Sequence, residues 1–93
     1  RGLDLFVVCV DDSARDRAFA LVQACRDAGV QCDMDHQGRS VKSQFKLADK
    51  LGASFVMTLG PDELAAGEAT LRNMASHEER TVALDAVAAA LRA

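Results

Sequence analysis

The segment LGPDELAAGEATLR, residues 59–72, sets a carboxylate, Glu63, nine residues ahead of a guanidinium, Arg72. Two such groups can simply neutralise each other. They can also read a nucleobase, the carboxylate accepting from N–H groups of guanine or uracil while the arginine donates or stacks. Pro61 suits a first helical position, and acids at Asp62 and Glu63 suit the positive end of a helix. Taken alone, those preferences make Glu63 a helix-start acid. The turn, however, follows the apolar run 54–60, and open α/β sheets bind ligands beyond the carboxyl ends of their central strands. Arg72, on a following strand, is expected to come near Glu63.

No other constellation competes strongly. Asp11 and Asp12 follow the first apolar run and resemble the acidic, metal-holding pocket of receiver-like domains, but acids also favour a helix start. His36 and His77 lie in loop-like segments without a nucleophile in recognisable context, so neither forms a triad. Cys9, Cys25 and Cys32 have no CxxC spacing, which argues against zinc and for reduced, buried thiols in a cytoplasmic protein. Lys42, Lys46 and Lys50 form an i, i+4, i+8 stripe. Such a stripe solvates a helix face, and it can also attract a phosphate backbone. Lys46 points most directly away from the apolar side, so little effect is expected from its loss if the stripe tracks phosphates.

These residues must be positioned by a small scaffold. Ninety-three residues with a 49% hydrophobic share support one domain with one thin core. The net charge of −3 argues against a broad basic field for nucleic acid, though not against a local site. No apolar run approaches the ~20 residues of a membrane-spanning helix, so a soluble chain is expected. The first residue is Arg1 rather than Met, which fits a fragment of a longer protein.

LDLFVVCV (3–10) reads as a central strand buried on both faces. Ser13 and Asp16 have capping-box spacing before a helix whose Ala14, Ala18, Leu21, Val22, Cys25 and Ala28 share one face. Phe19 lies off that face. Residues 30–35 alternate like an edge strand, Ser40 caps a helix with Val41, Phe45, Ala48 and Leu51 inward, and 54–60 is a second central strand. EATLRNM and ERTVAL make a hairpin around ASHE, and Leu84, Val87, Ala88 and Leu91 mark a last helix. The order βαβαβ–hairpin–α implies a three-layer α/β domain with its first three strands parallel.

GRSVKSQFKLADKLGASFVMTLGPDELAAGEATLRNM (38–74) closely resembles the C-terminal anticodon-binding domain of histidyl-tRNA synthetases, which are class II aminoacyl-tRNA synthetases. The likeness extends from about Leu5 to Leu91. Related class IIa domains share the spacing G-x-x-E-x-x-x-G-x-x-x-x-R, here Gly60, Glu63, Gly67 and Arg72. The resemblance implies a five-stranded mixed sheet of order 2-1-3-4-5, strand 4 antiparallel, with flanking helices. It implies that residues 1–93 are one anticodon-binding domain of a larger synthetase and that Glu63 and Arg72 contact anticodon bases. Arg39, in the matching GRS loop, is a further contact. The implied partners are the anticodon loop of histidine tRNA and a catalytic domain of the same chain, in a homodimeric parent. ATP and Mg²⁺ would serve that catalytic domain, leaving this fragment no catalytic centre and no cofactor. Two departures stand out: SHEE where the family often turns on glycine, and Ala83 where a Ser or Thr often caps the last helix.

Two other readings are open to the sequence. One is a receiver-like or flavodoxin-like regulatory domain using Asp11 and Asp12 with Mg²⁺. The other is a synthetase-derived interaction module that no longer binds tRNA.

Overall fold

In the computed structural model, which describes residues 2–92, five strands form one sheet. They are β1 (Leu5–Cys9), β2 (Cys32–Met34), β3 (Phe55–Leu59), β4 (Glu68–Asn73) and β5 (Glu79–Ala83), in the order β2-β1-β3-β4-β5. β1 pairs in parallel with β2 and β3, whereas β4 runs antiparallel to both β3 and β5. The helices are α1 (Arg15–Asp27), α2 (Val41–Lys50), α3 (Pro61–Ala66) and α4 (Val87–Arg92). The mixed sheet of order 2-1-3-4-5 expected from the family resemblance is the one observed.

Two apolar layers follow from the strand alternation. Leu5, Val7, Cys9, Met57, Leu59, Ala69, Leu71 and Val82 face one side, where Ala18, Leu21, Val22 and Cys25 of α1 and Val87 of α4 meet them. Phe6, Val8 and Val56 face the other side, where Ala48 is buried against them and Val41 and Phe45 pack alongside, all from α2. β1 is therefore buried along its whole length. Each large side chain in these layers contributes roughly 1.5–3 kcal/mol by leaving water.

Local signals behaved unevenly. Ser40 caps α2 by accepting from the Ser43 N–H. The Ser13–Asp16 box does not form. Asp11 caps instead, accepting from the Ser13 N–H at 2.9 Å and from its hydroxyl, and the short 3₁₀ turn Asp12–Ala14 leads into α1. A carboxylate two residues upstream reaches the free N–H first, so Ser13 is used as a donor. Leu51 is 38% exposed rather than inward, because α2 ends at Lys50 and the chain turns away. Phe19 is exposed, as its place on the wheel implied. Ala83 makes no side-chain cap, and a 3₁₀ turn, Leu84–Ala86, opens the last helix.

The SHEE turn has a cost. His77 adopts φ 65° in the β4–β5 connection, with its N–H donating to the Asn73 carbonyl at 2.8 Å. That left-handed conformation costs a non-glycine residue about 1–2 kcal/mol. His77→Gly is expected to stabilise the domain by ~0.5–1 kcal/mol, the added freedom of the unfolded chain offsetting part of the relief. Urea denaturation would show it as a higher midpoint at unchanged slope, and a lower midpoint would refute this account of the turn.

Candidate nucleic-acid interface

α2 covers only part of its side of the sheet. Val56 on β3 lies beneath that helix cluster, and its register partner on β4 is Arg72. Cross-strand partners share a face, so Arg72 and Thr70 point to the side that α2 occupies, as do their β5 partners Glu79 and Thr81. Among the described residues, no helix packs over these outer two strands on this side. The result is a polar strip: Thr70 beside Thr81, then Arg72 beside Glu79, walled by α2.

Glu63 stands at the upper end of the strip. Pro61 takes the first position of α3, after Gly60 at the N-cap, so Glu63 falls in the first turn. Asp62 and Glu63 join Thr70 and Thr81 around a concavity of about 220 Å³. The two motif glycines have separate causes. At Gly60 a Cβ would lie 3.1 Å from Val10 Cγ2 and 3.2 Å from Glu63 Oε1, so glycine leaves room for the carboxylate to lie back over its own helix start. At Gly67, φ is 71° and the N–H donates to the Glu63 carbonyl at 2.8 Å, reversing the chain into β4. Only glycine takes that φ readily.

Glu63 and Arg72 are not paired. Arg72 Nη1 instead lies 3.2 Å from Glu79 Oε2, and Glu63 has no ion pair or side-chain hydrogen bond among the described residues. Arg72 sits two residues beyond Thr70, about 7 Å further along the strand. The two predicted residues therefore stand toward opposite ends of one strip.

Arg39 is elsewhere, in the loop before α2. Its N–H donates to Asp35 Oδ2 at 2.7 Å and its guanidinium pairs with Asp35 Oδ1. Asp35 is 2% exposed. Burial by itself would raise its pKa, but the donors from Arg39 and the Gln37 N–H outweigh that and hold it below the usual carboxylate value. Gln44, also 2% exposed, locks the same loop to the end of β1. Its Oε1 accepts from the Cys9 N–H at 2.9 Å, while its Nε2 donates to the Cys9 carbonyl at 2.9 Å and to the Arg39 carbonyl at 2.8 Å. The sequence reading missed Gln44. The signal was present, because a residue three after Val41 and four before Ala48 must lie on the inner face.

The acids after β1 do not assemble a receiver-type pocket. Asp11 is the cap described above, and Asp12 pairs with Arg15 at 2.9 Å. Among the described residues no group of three His, Cys, Asp or Glu is placed to hold a metal ion. All three cysteines are free and buried, and among the described residues no helix is long and apolar enough to cross a membrane.

The arrangement is a mixed sheet with a bare polar half beside α2 and, after its central strand β3, a Gly-Glu-Gly turn leading to Arg72 on β4. Residues 4–93 match the family model described as "Anticodon binding domain", and the chain belongs to that family. Its relatives are histidine–tRNA ligases. That of Geobacillus kaustophilus (strain HTA426) is 47% identical over 87 residues, covering 94% of this chain and 20% of the relative. That of Bacillus velezensis is 37% identical over 93 residues, covering the whole chain and 22% of the relative. The apo histidyl-tRNA synthetase of S. aureus superposes with a TM-score of 0.94 at 36% identity, over 99% of this chain and 24% of that one. The RNA binding domain of threonyl-tRNA synthetase from Cryptosporidium parvum, at 13% identity and TM-score 0.86 over 97% of this chain and 23% of that one, shares the fold. The chain thus spans about a fifth of the length of its curated relatives.

Proposed function

We propose that this chain reads the anticodon of histidine tRNA as the C-terminal part of a cytoplasmic, homodimeric histidine–tRNA ligase. Aminoacylation with ATP and Mg²⁺ would take place in a catalytic domain outside these residues. The observation that carries this reading is the polar strip itself, with an unpaired carboxylate at one end and an arginine at the other. Unstacked bases laid along it would meet Glu63 as an acceptor for N–H groups. They would meet the threonine hydroxyls in the middle and a guanidinium to stack on at Arg72. The Arg72–Glu79 pair is exposed enough to open at small cost, since exposed pairs contribute at most about 1 kcal/mol. Arg39, held by Asp35, would add a contact from the loop beside α2.

Glu63→Gln keeps the size while replacing a charged acceptor by a neutral group that also donates. It is expected to weaken binding of the histidine anticodon stem-loop by ~1–3 kcal/mol, with much less effect on a stem-loop of altered anticodon. Arg72→Ala is expected to weaken both by ~1–3 kcal/mol through lost stacking and charge. Fluorescence titration of the two stem-loops measures both effects. Equal affinities for the unaltered chain and Glu63→Gln, on both RNAs, would reduce Glu63 to a helix-start acid.

A further inference from the structure

The chain holds three lysines, and all three, Lys42, Lys46 and Lys50, are exposed on α2. None makes an ion pair among the described residues. The seven described arginines behave oppositely. Arg15, Arg17, Arg26, Arg39 and Arg72 are tied to carboxylates, and Arg80 and Arg92 to backbone carbonyls. In a chain of net charge −3, the Lys and Arg side chains that have neither an ionic nor a hydrogen-bonding partner among the described residues are thus gathered on one helix. Asp49 is the only acid on α2, and it leaves the lysines unpaired. This helix is also the wall of the polar strip, on the same side of the sheet as Arg72 and Thr70.

We infer that the Lys42–Lys46–Lys50 stripe is a rail for the phosphodiester backbone of the RNA whose bases occupy the strip. The inference rests on the anticodon-reading proposal and adds a second, sequence-blind surface to it. Successive lysines are about 6 Å apart along the axis, so the stripe covers about 12 Å. That length is enough to meet more than one phosphate of an extended strand. Flexible ammonium groups suit this task, because they follow a backbone as point charges without demanding one geometry. The strip would then supply discrimination between anticodons, and the rail would supply affinity independent of them.

The test is titration of the 93-residue chain and its Lys42→Gln/Lys46→Gln/Lys50→Gln variant with cognate and altered stem-loops over a range of salt concentrations. Each phosphate contact contributes about 0.7–0.9 to the slope of log affinity against log salt. The variant is expected to lose about 2 units of that slope, and so about a hundredfold in affinity at ~0.1 M salt relative to ~1 M, equally for both RNAs. The ratio between the RNAs should be unchanged, and the corresponding triple arginine variant should keep the slope. An unchanged slope in a variant that melts as the parent does would overturn the rail and leave the stripe a solvated face. If the unaltered chain shows no anticodon preference but the variant still loses slope, the rail stands and the reading proposal falls. If the unaltered chain binds neither RNA, both fall.

Discussion

Replacing Gln44 with alanine is expected to lower the unfolding free energy by ~3–4 kcal/mol, a large share of the roughly 5–14 kcal/mol of a domain this size. The side chain satisfies three backbone groups: the Cys9 N–H, the Cys9 carbonyl and the Arg39 carbonyl. Each buried polar group left without a partner costs about 1–3 kcal/mol, and water entering the alanine cavity would recover part of that. Gln44→Leu excludes the water and fills much of the volume, so it is expected to cost at least as much as alanine. Gln44→Glu keeps the acceptor for Cys9 N–H but turns a carboxylate toward two carbonyls. Its folded-state pKa should rise, so this variant should gain stability relative to the parent as pH falls and the carboxyl begins to donate. Denaturant unfolding of the three variants checks these orders. Costs below ~1 kcal/mol for both alanine and leucine would mean that the amide is not what joins the loop to β1.

The same residue shows what the sequence could and could not disclose. β1 and β3 were legible because an unbroken apolar run has few places to go other than a strand covered on both faces. Ser40 was legible as a cap because its effect is local. Gln44 was legible only in part: the helical period puts it inside, but its partners lie 35 residues away on Cys9 and five away on Arg39. Asp35 was not legible at all, since an acid before a glycine-containing loop looks solvated until the fold buries it. The strip was half legible. Spacing and family resemblance selected Glu63 and Arg72, yet whether they meet depends on register. Register pairs Arg72 with Val56, well before the carboxyl end of β3, and so parts them. The Ser13–Asp16 spacing misled because Asp11, two residues upstream, competes for the same N–H.

Asp35→Ala is expected to cost ~2–3 kcal/mol and to detach Arg39 from its place beside α2. The carboxylate is almost fully buried and accepts from both the backbone and the guanidinium of Arg39. Removing it leaves those donors unmet, although the guanidinium side is open enough to water to rehydrate. The acid also ties stability to pH. Burial opposes its ionisation, but the Arg39 and Gln37 donors prevail and lower its folded pKa. An unfolded aspartate titrates near 3.9 or so. The stabilisation from the shift is therefore complete above about pH 4–5 and is lost as pH falls below the unfolded pKa and through the folded one. Asp35→Asn removes this titration while keeping an acceptor, so it should cost less than alanine at neutral pH and show a shallower decline in acid. Melting the parent and both variants between pH 2 and pH 7 checks the sign. Parallel acid declines in parent and Asp35→Asn would place the titrating group elsewhere. If Arg39 also touches RNA, Asp35→Ala should weaken stem-loop binding about as much as Arg39→Ala does, because its effect on the RNA passes through the same guanidinium.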